Sequence, residues 1–167
     1  SIARPLAEAM ADAAEKLIVG DPTRADTEVG PLIRPREVER VHEWTKEAID
    51  RGAEVLAGGE PMEHNCYRPT VLYGPPDDVR VSQQEVFGPV VCVYPYDDMD
   101  EAIERANALP FAFQAAVFTK DIDRAMRAYS RLDASAVMIN DHTAFRVDWM
   151  PFAGLRQSGL GVGGISH

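Results

Sequence analysis

A chain of 167 residues is long enough for one domain with a real hydrophobic core. Its 27 acidic against 17 basic residues give a formal charge of −10, which argues against nucleic acid and anionic membrane surfaces as partners. No apolar run is long enough to span a bilayer, no basic leader precedes the first apolar stretch, and two cysteines are too few for a disulfide framework or a zinc site; the expected location is cytoplasmic.

The periodicity predicts a helix over residues 3–17, with Leu6, Ala9, Met10, Ala13, Ala14 and Leu17 at spacings of three and four. Val19-Gly20-Asp21-Pro22 stops it, and a Pro-, Gly- and Thr-rich loop runs to Pro35. Pro35 suits the first position of a second helix over 36–51, which gathers Val38, Val41, Trp44, Thr45, Ala48 and Ile49 on one face before Gly52. Glu54-Val55-Leu56-Ala57 and Thr70-Val71-Leu72-Tyr73 are short strands, each ended by glycine. Residues 90–96 form a near-continuous apolar run, the pattern of a strand covered on both faces. A helix over 99–107 follows, capped by Asp97 or Asp98. Then come a strand over 115–119, a helix capped by Asp121 and ending at Leu132, and a strand over 134–140. This alternation predicts an α/β fold: a mainly parallel open sheet with helices on its faces. The weakly patterned segment 141–164 is long for a loop in a compact domain, and such loops are usually functional or disordered.

Two runs carry most of the chemistry. In Gln84-Glu85-Val86-Phe87-Gly88-Pro89 an acid and an aromatic ring stand just before a Gly-Pro turn. A carboxylate there can accept hydrogen bonds from both hydroxyls of a ribose, and the ring can pack beside it. Alone, the run also reads as a surface acid and a core aromatic. The second run, Pro151-Phe152-Ala153-Gly154-Leu155-Arg156-Gln157-Ser158-Gly159-Leu160-Gly161, is a glycine-punctuated loop after an apolar strand.

Together these runs resemble the C-terminal part of the aldehyde dehydrogenase superfamily, and the resemblance extends from about Val19 to Gly161. The second run is similar to the family's Pro-Phe-Gly-Gly-x-Lys-x-Ser-Gly-x-Gly signature, with Ala153 in place of a glycine and Arg156 in place of the lysine. The resemblance implies a partial catalytic domain spanning residues 1–167. The cofactor domain, the nucleophilic cysteine and the general-base glutamate are expected upstream, and the oligomerisation strand downstream. It implies NAD or NADP as cofactor, a small-molecule aldehyde as substrate, and a homodimeric or homotetrameric parent. The implied chemistry is covalent: a thiolate attacks the aldehyde, hydride passes to the nicotinamide, and water hydrolyses the thioester. On this reading Glu85 holds the nicotinamide ribose, Phe87 packs nearby, and the stretch before the signature lines the substrate tunnel, with Phe152 at its end.

That stretch, Asp141-His142-Thr143-Ala144-Phe145-Arg146-Val147-Asp148-Trp149-Met150, is unusually polar. His142, Phe145, Arg146 and Phe152 are the candidate substrate-binding residues. The combination looks like dehydrogenases of small polar aldehydes, lactaldehyde and phosphonoacetaldehyde types among them, with Arg146 and His142 favouring the phosphonate. Arg146 has two readings: it binds a substrate anion through its planar fork, or it pairs with an acid such as Asp148. Two other functions compete, a short non-catalytic interaction module and a CoA-acylating relative.

Three further features are set aside. Gly159-x-Gly161-x-x-Gly164 matches the dinucleotide fingerprint by letter, but that motif needs a preceding strand, a following helix and an acid about twenty residues on. Only three residues follow Gly164, so its glycines are read as turn formers. Cys92 falls inside an apolar strand and Cys66 lacks the neighbours of a nucleophile, so no catalytic residue is assigned and the fragment is expected to be inactive alone. His42, His64 and His167 are scattered, so no metal site is assigned; His42 reads as a partly buried structural residue.

Overall fold

Proline, glycine and apolar spacing place most elements where the periodicity predicts them in the computed structural model of the chain, which describes residues 2–164. The chain divides into two compact units, residues 1–96 and 97–167.

In the first unit, α1 (Ala3–Ala14) buries Ala7 and Ala11. It ends before the predicted Leu17 because its last turn tightens: Lys16 and Leu17 donate to carbonyls three residues back, at Ala13 and Ala14. α2 (Pro35–Asp50) starts with proline at its first turn and buries Val38, Val41, Thr45 and Ala48. Gly52, at φ +104°, takes the left-handed turn just beyond it. β1 (Glu54–Ala57), β2 (Thr70–Tyr73) and β3 (Val90–Val93) form one sheet in that order, with β2 central. β1 pairs with β2 antiparallel, whereas β2 pairs with β3 in parallel from Thr70↔Val90 to Tyr73↔Val93. Successive side chains of β2 serve opposite faces: Val71 joins the cluster of Ala11 from α1, and Leu72 joins that of Ala48 from α2. Between β2 and β3 lies α3 (Arg80–Gln83), too short to register as a periodic pattern.

β3 departs from expectation. It stops at Val93 rather than residue 96, and Val91 is 44% exposed, so the strand is not covered on both faces. Its partner β2 ends at Tyr73, opposite Val93, and Pro95 has no N–H to extend a ladder.

In the second unit, α4 (Met99–Asn107) is capped by Asp98, whose carboxylate accepts from the backbone N–H of Asp100 and Glu101. β4 (Phe111–Ala112) precedes β5 (Gln114–Val117). α5 (Ile122–Arg131), capped by Asp121, connects β5 to β6 (Ala136–Ile139), and these strands pair in parallel from Gln114↔Ala136 to Val117↔Ile139. The long segment after β6 holds three two-residue strands that the sequence pattern did not signal: β7 (Phe152–Ala153), β8 (Leu155–Arg156) and β9 (Val162–Gly163). β8 pairs with β4 and β9 with β7, both antiparallel.

The α/β class and the parallel crossovers are therefore present. The expected single parallel sheet is more divided: its two parallel ladders lie in different units, and β1–β2 is antiparallel. The reason is local. Parallel neighbours need a crossover, usually a helix, and residues 58–69 between β1 and β2 contain no helix.

Candidate functional site

The run 84–89 leaves α3 and leads into β3. Val86 turns inward, packing against the core clusters of Leu72 and of Val41, while Glu85 and Phe87 on either side of it are exposed. The segment is pinned at four points. Gln84 N donates to Arg80 O at 2.9 Å, and Arg40 Nη2 donates to Val86 O at 2.7 Å. Gly88 lies so close to α2 that a Cβ there would sit 2.9 Å from Val41 Cγ2. Pro89 O accepts from Thr70 N at 2.8 Å. Phe87 has φ +49°, a left-handed conformation uncommon for a bulky side chain, and the residue is 76% exposed. Among the described residues the Glu85 carboxylate has no hydrogen-bond or ion-pair partner. An exposed, unengaged carboxylate on a pinned backbone fits the binding of a vicinal diol.

The second group lies in the other unit. Beyond β6 the chain turns at Asn140, at φ +58°, whose side chain mimics a strand partner: Oδ1 accepts from Thr119 N and Nδ2 donates to Thr119 O, both at 2.9 Å. His142 is exposed, with its Nε2 3.9 Å from Asp141 Oδ1. Phe145 N donates to His142 O at 3.2 Å, and the Phe145 ring is half-exposed. Arg146 carries its guanidinium over the ring of Phe152, with Cζ 4.3 Å from the centroid. Phe152 in turn meets Phe113 edge-on, at 5.0 Å and 86°. Arg146 and Phe152 are thus brought together, while His142 and Phe145 share the preceding turn. Among the described residues Arg146 makes no ion pair with Asp148, so the loop-pairing reading is not the geometry observed.

The signature run is braced on α4 and β4. Ser158 Oγ accepts from Ala112 N at 3.0 Å. Arg156 donates through Nη1 to Asn107 O at 2.7 Å and Leu109 O at 2.6 Å, and it pairs with Asp133. A cation on carbonyls at the C-terminus of α4 also suits the helix dipole. The run Gly159 to Gly164 contains β9 rather than a helix start, in keeping with its rejection as a dinucleotide fingerprint.

Neither cysteine resembles an activated nucleophile. Burial pushes the Cys92 thiol up from its ordinary value, and Cys66 is 3% exposed with its Sγ 3.8 Å from His64 O. His42 is half-buried, its Nδ1 3.3 Å from Tyr67 Oη, the structural role expected of it. His167 lies outside the described residues. Among the described residues no group of three or more His, Cys, Asp and Glu side chains could hold a metal ion, and no helix is long and apolar enough to cross a membrane.

Sequence reasoning missed Arg40, Phe113 and Ser158 as partners of these groups. Each lies 39 to 46 residues from the group it touches, beyond any local pattern.

The chain is similar to known proteins along its whole length. The family model described as the aldehyde dehydrogenase family matches residues 1–167. The 3-sulfolactaldehyde dehydrogenase of Priestia aryabhattai is 42% identical over 153 residues, covering 92% of this chain and 32% of that protein. The lactaldehyde dehydrogenase of Methanococcus maripaludis is 38% identical, with 92% of this chain and 32% of that protein covered. Among solved structures, aldehyde dehydrogenase 21 from Physcomitrella patens, in complex with the reaction product succinate, superimposes with a TM-score of 0.92 at 34% identity over 98% of this chain and 34% of that one. A betaine aldehyde dehydrogenase from Staphylococcus aureus in complex with NAD+ gives 0.89 at 32% identity, covering 98% and 34%. A glyceraldehyde-3-phosphate dehydrogenase from Methanocaldococcus jannaschii complexed with NADP gives 0.90 at 35% identity, covering 98% and 35%. The chain spans about a third of the length of these proteins. A family match over residues 1–167, with a relative 42% identical over 92% of the chain, means that this chain belongs to the aldehyde dehydrogenase family.

Proposed function

We propose that this chain is part of an NAD- or NADP-dependent aldehyde dehydrogenase that oxidises a small aldehyde bearing an anionic group, a class that includes phosphonoacetaldehyde. The single observation that carries the substrate reading is Arg146 stacked on Phe152 without an ion-pair partner among the described residues. The guanidinium lies over the ring, and its N–H groups are left to bind a carboxylate, sulfonate or phosphonate in bidentate fashion. The relative named for 3-sulfolactaldehyde, a sulfonate-bearing aldehyde, supports that class.

The cofactor, when bound, supplies the hydride acceptor. Glu85 accepts hydrogen bonds from the hydroxyls of its nicotinamide ribose, and the exposed ring of Phe87 packs beside them. His142 and Phe145 join Arg146 and Phe152 as one wall of the substrate tunnel. The nucleophilic cysteine and the base that activates water belong to the remainder of the enzyme, so this chain alone does not turn over aldehydes. The parent works in the cytoplasm as a homodimer or homotetramer.

The test is Arg146→Ala in the full-length enzyme. For an anionic aldehyde, kcat/KM falls by about 2–3 kcal/mol of transition-state binding, roughly 30- to 150-fold, whereas propanal is hardly affected. Equal losses on both substrates would make Arg146 a structural residue and remove the anionic-substrate reading.

A further inference from the structure

The side chain that holds the ribose-facing run in place comes from α2. Arg40 is at the centre of a small assembly: Nη2 donates to Val86 O at 2.7 Å, Nε donates to Glu37 Oε2 at 2.9 Å, and Cζ lies 4.6 Å from the centroid of Trp44. Glu37 is itself gripped by Arg34 Nε at 3.0 Å and Arg36 Nε at 3.1 Å. Hydrogen bonding, ion pairing and stacking thus fix the Arg40 guanidinium from three directions, and its side chain is only 26% exposed. The carbonyl it binds belongs to the residue between Glu85 and Phe87. One residue along the helix, Val41 presses on Gly88 and fixes the other end of the run. A clamp on Val86 O fixes the plane of the Val86–Phe87 peptide and with it the left-handed backbone of Phe87; together with Gln84 N held by Arg80 O on the other side, it restricts the backbone that carries Glu85.

We infer that Arg40 is a positioning residue for cofactor binding, acting through the Val86 carbonyl to orient Glu85 and Phe87 toward the nicotinamide ribose. This rests on the ribose reading of Glu85. The Glu37–Arg40–Trp44 assembly thereby makes one face of α2 part of the cofactor-handling apparatus.

The experiment uses the full-length enzyme and compares Arg40→Ala, Arg40→Lys, Glu85→Gln, the double variant Arg40→Ala with Glu85→Gln, and Arg80→Ala as control. The side chain of Arg80 also approaches Trp44, at 5.8 Å, but pairs with Glu43 and Glu47. Cofactor KM, aldehyde KM, the pre-steady-state hydride-transfer rate and thermal stability are measured for each. Arg40→Ala is expected to raise cofactor KM roughly tenfold, the factor carried by one charge-assisted hydrogen bond, with aldehyde KM unchanged. Arg40→Lys, which retains one donor, restores part of the loss. The double variant is no worse than the worse single variant, because both changes remove the same orientation. Arg80→Ala lowers thermal stability and leaves cofactor KM at the wild-type value. If Glu85→Gln raises cofactor KM while the Arg40 variants leave it unmoved, the inference falls and the ribose reading stands. If the Arg40 variants lose cofactor and aldehyde KM together in step with stability, Arg40 is merely structural and the inference also falls. If Glu85→Gln leaves cofactor KM and hydride transfer intact, the ribose reading fails and takes the inference with it. Should Arg40→Ala not fold, Arg40→Lys carries the same comparison.

Discussion

Ala153 and Gly154 are adjacent in the signature run yet bear opposite constraints. Ala153 replaces a glycine of the family pattern at a position paired with Val162 in the β7–β9 ladder, where its backbone is not left-handed. A side chain at Gly154 would place Cβ 2.5 Å from Ser158 O and 2.6 Å from its carbonyl carbon, both backbone atoms that cannot rotate away. Gly154→Ala must therefore shift the turn that presents Ser158 Oγ to Ala112 N. Overpacking of this kind costs about 1–3 kcal/mol. Ser158→Ala, which removes only the brace, should cost about 1 kcal/mol. Urea unfolding of the two variants should show the glycine change as the more damaging; the reverse order would mean that the turn relaxes freely. These constraints could not be read from the run itself, because the letters G and A do not show which backbone atoms lie opposite.

At the scale of an element, the first turn of α2 gathers Arg34, Arg36 and Arg40 around Glu37. Arg40 leads these partners in holding the Glu37 carboxyl down from its usual 4.5 to about 2, and a carboxylate in the first turn also suits the helix dipole. A depressed folded-state value means that the unfolded chain binds its proton first as pH falls. The stabilisation is therefore complete above about pH 4.5 and is lost as pH drops toward 2. The midpoint of chemical unfolding should fall across that window, and Glu37→Gln should flatten the difference between pH 5 and about 2 relative to the unaltered chain. Parallel profiles for the two would show that Glu37 is no better stabilised folded than unfolded. The helix itself was legible from Pro35, the apolar stripe and Gly52. The three-arginine grip was not, because Arg34 lies before the helix and its direction depends on the turn.

At the scale of the molecule, the second unit carries Ile122, Met126 and Tyr129 exposed on α5 at helical spacing, with Phe118 70% exposed nearby in sequence. Exposed apolar groupings of this kind promote association. The isolated chain should elute larger than a monomer in size-exclusion chromatography with light scattering and should show no cysteine-dependent aldehyde oxidation with NAD or NADP. A clean monomer with a sharp unfolding transition would favour the self-contained interaction module instead. The sequence by itself determined the types of the longer elements, because periodicity, proline, glycine and Asp caps act within a few residues; α3 and the two-residue strands left no such pattern. It also determined the family, because the runs 84–89 and 151–161 are contiguous. Only the tertiary structure decided that β1 pairs antiparallel, that β3 ends at Val93, that Arg146 stacks on Phe152, and that Arg40 grips Val86 O. Those outcomes depend on which side chains and ladders meet across six to more than forty residues, and a one-dimensional pattern does not encode such meetings locally.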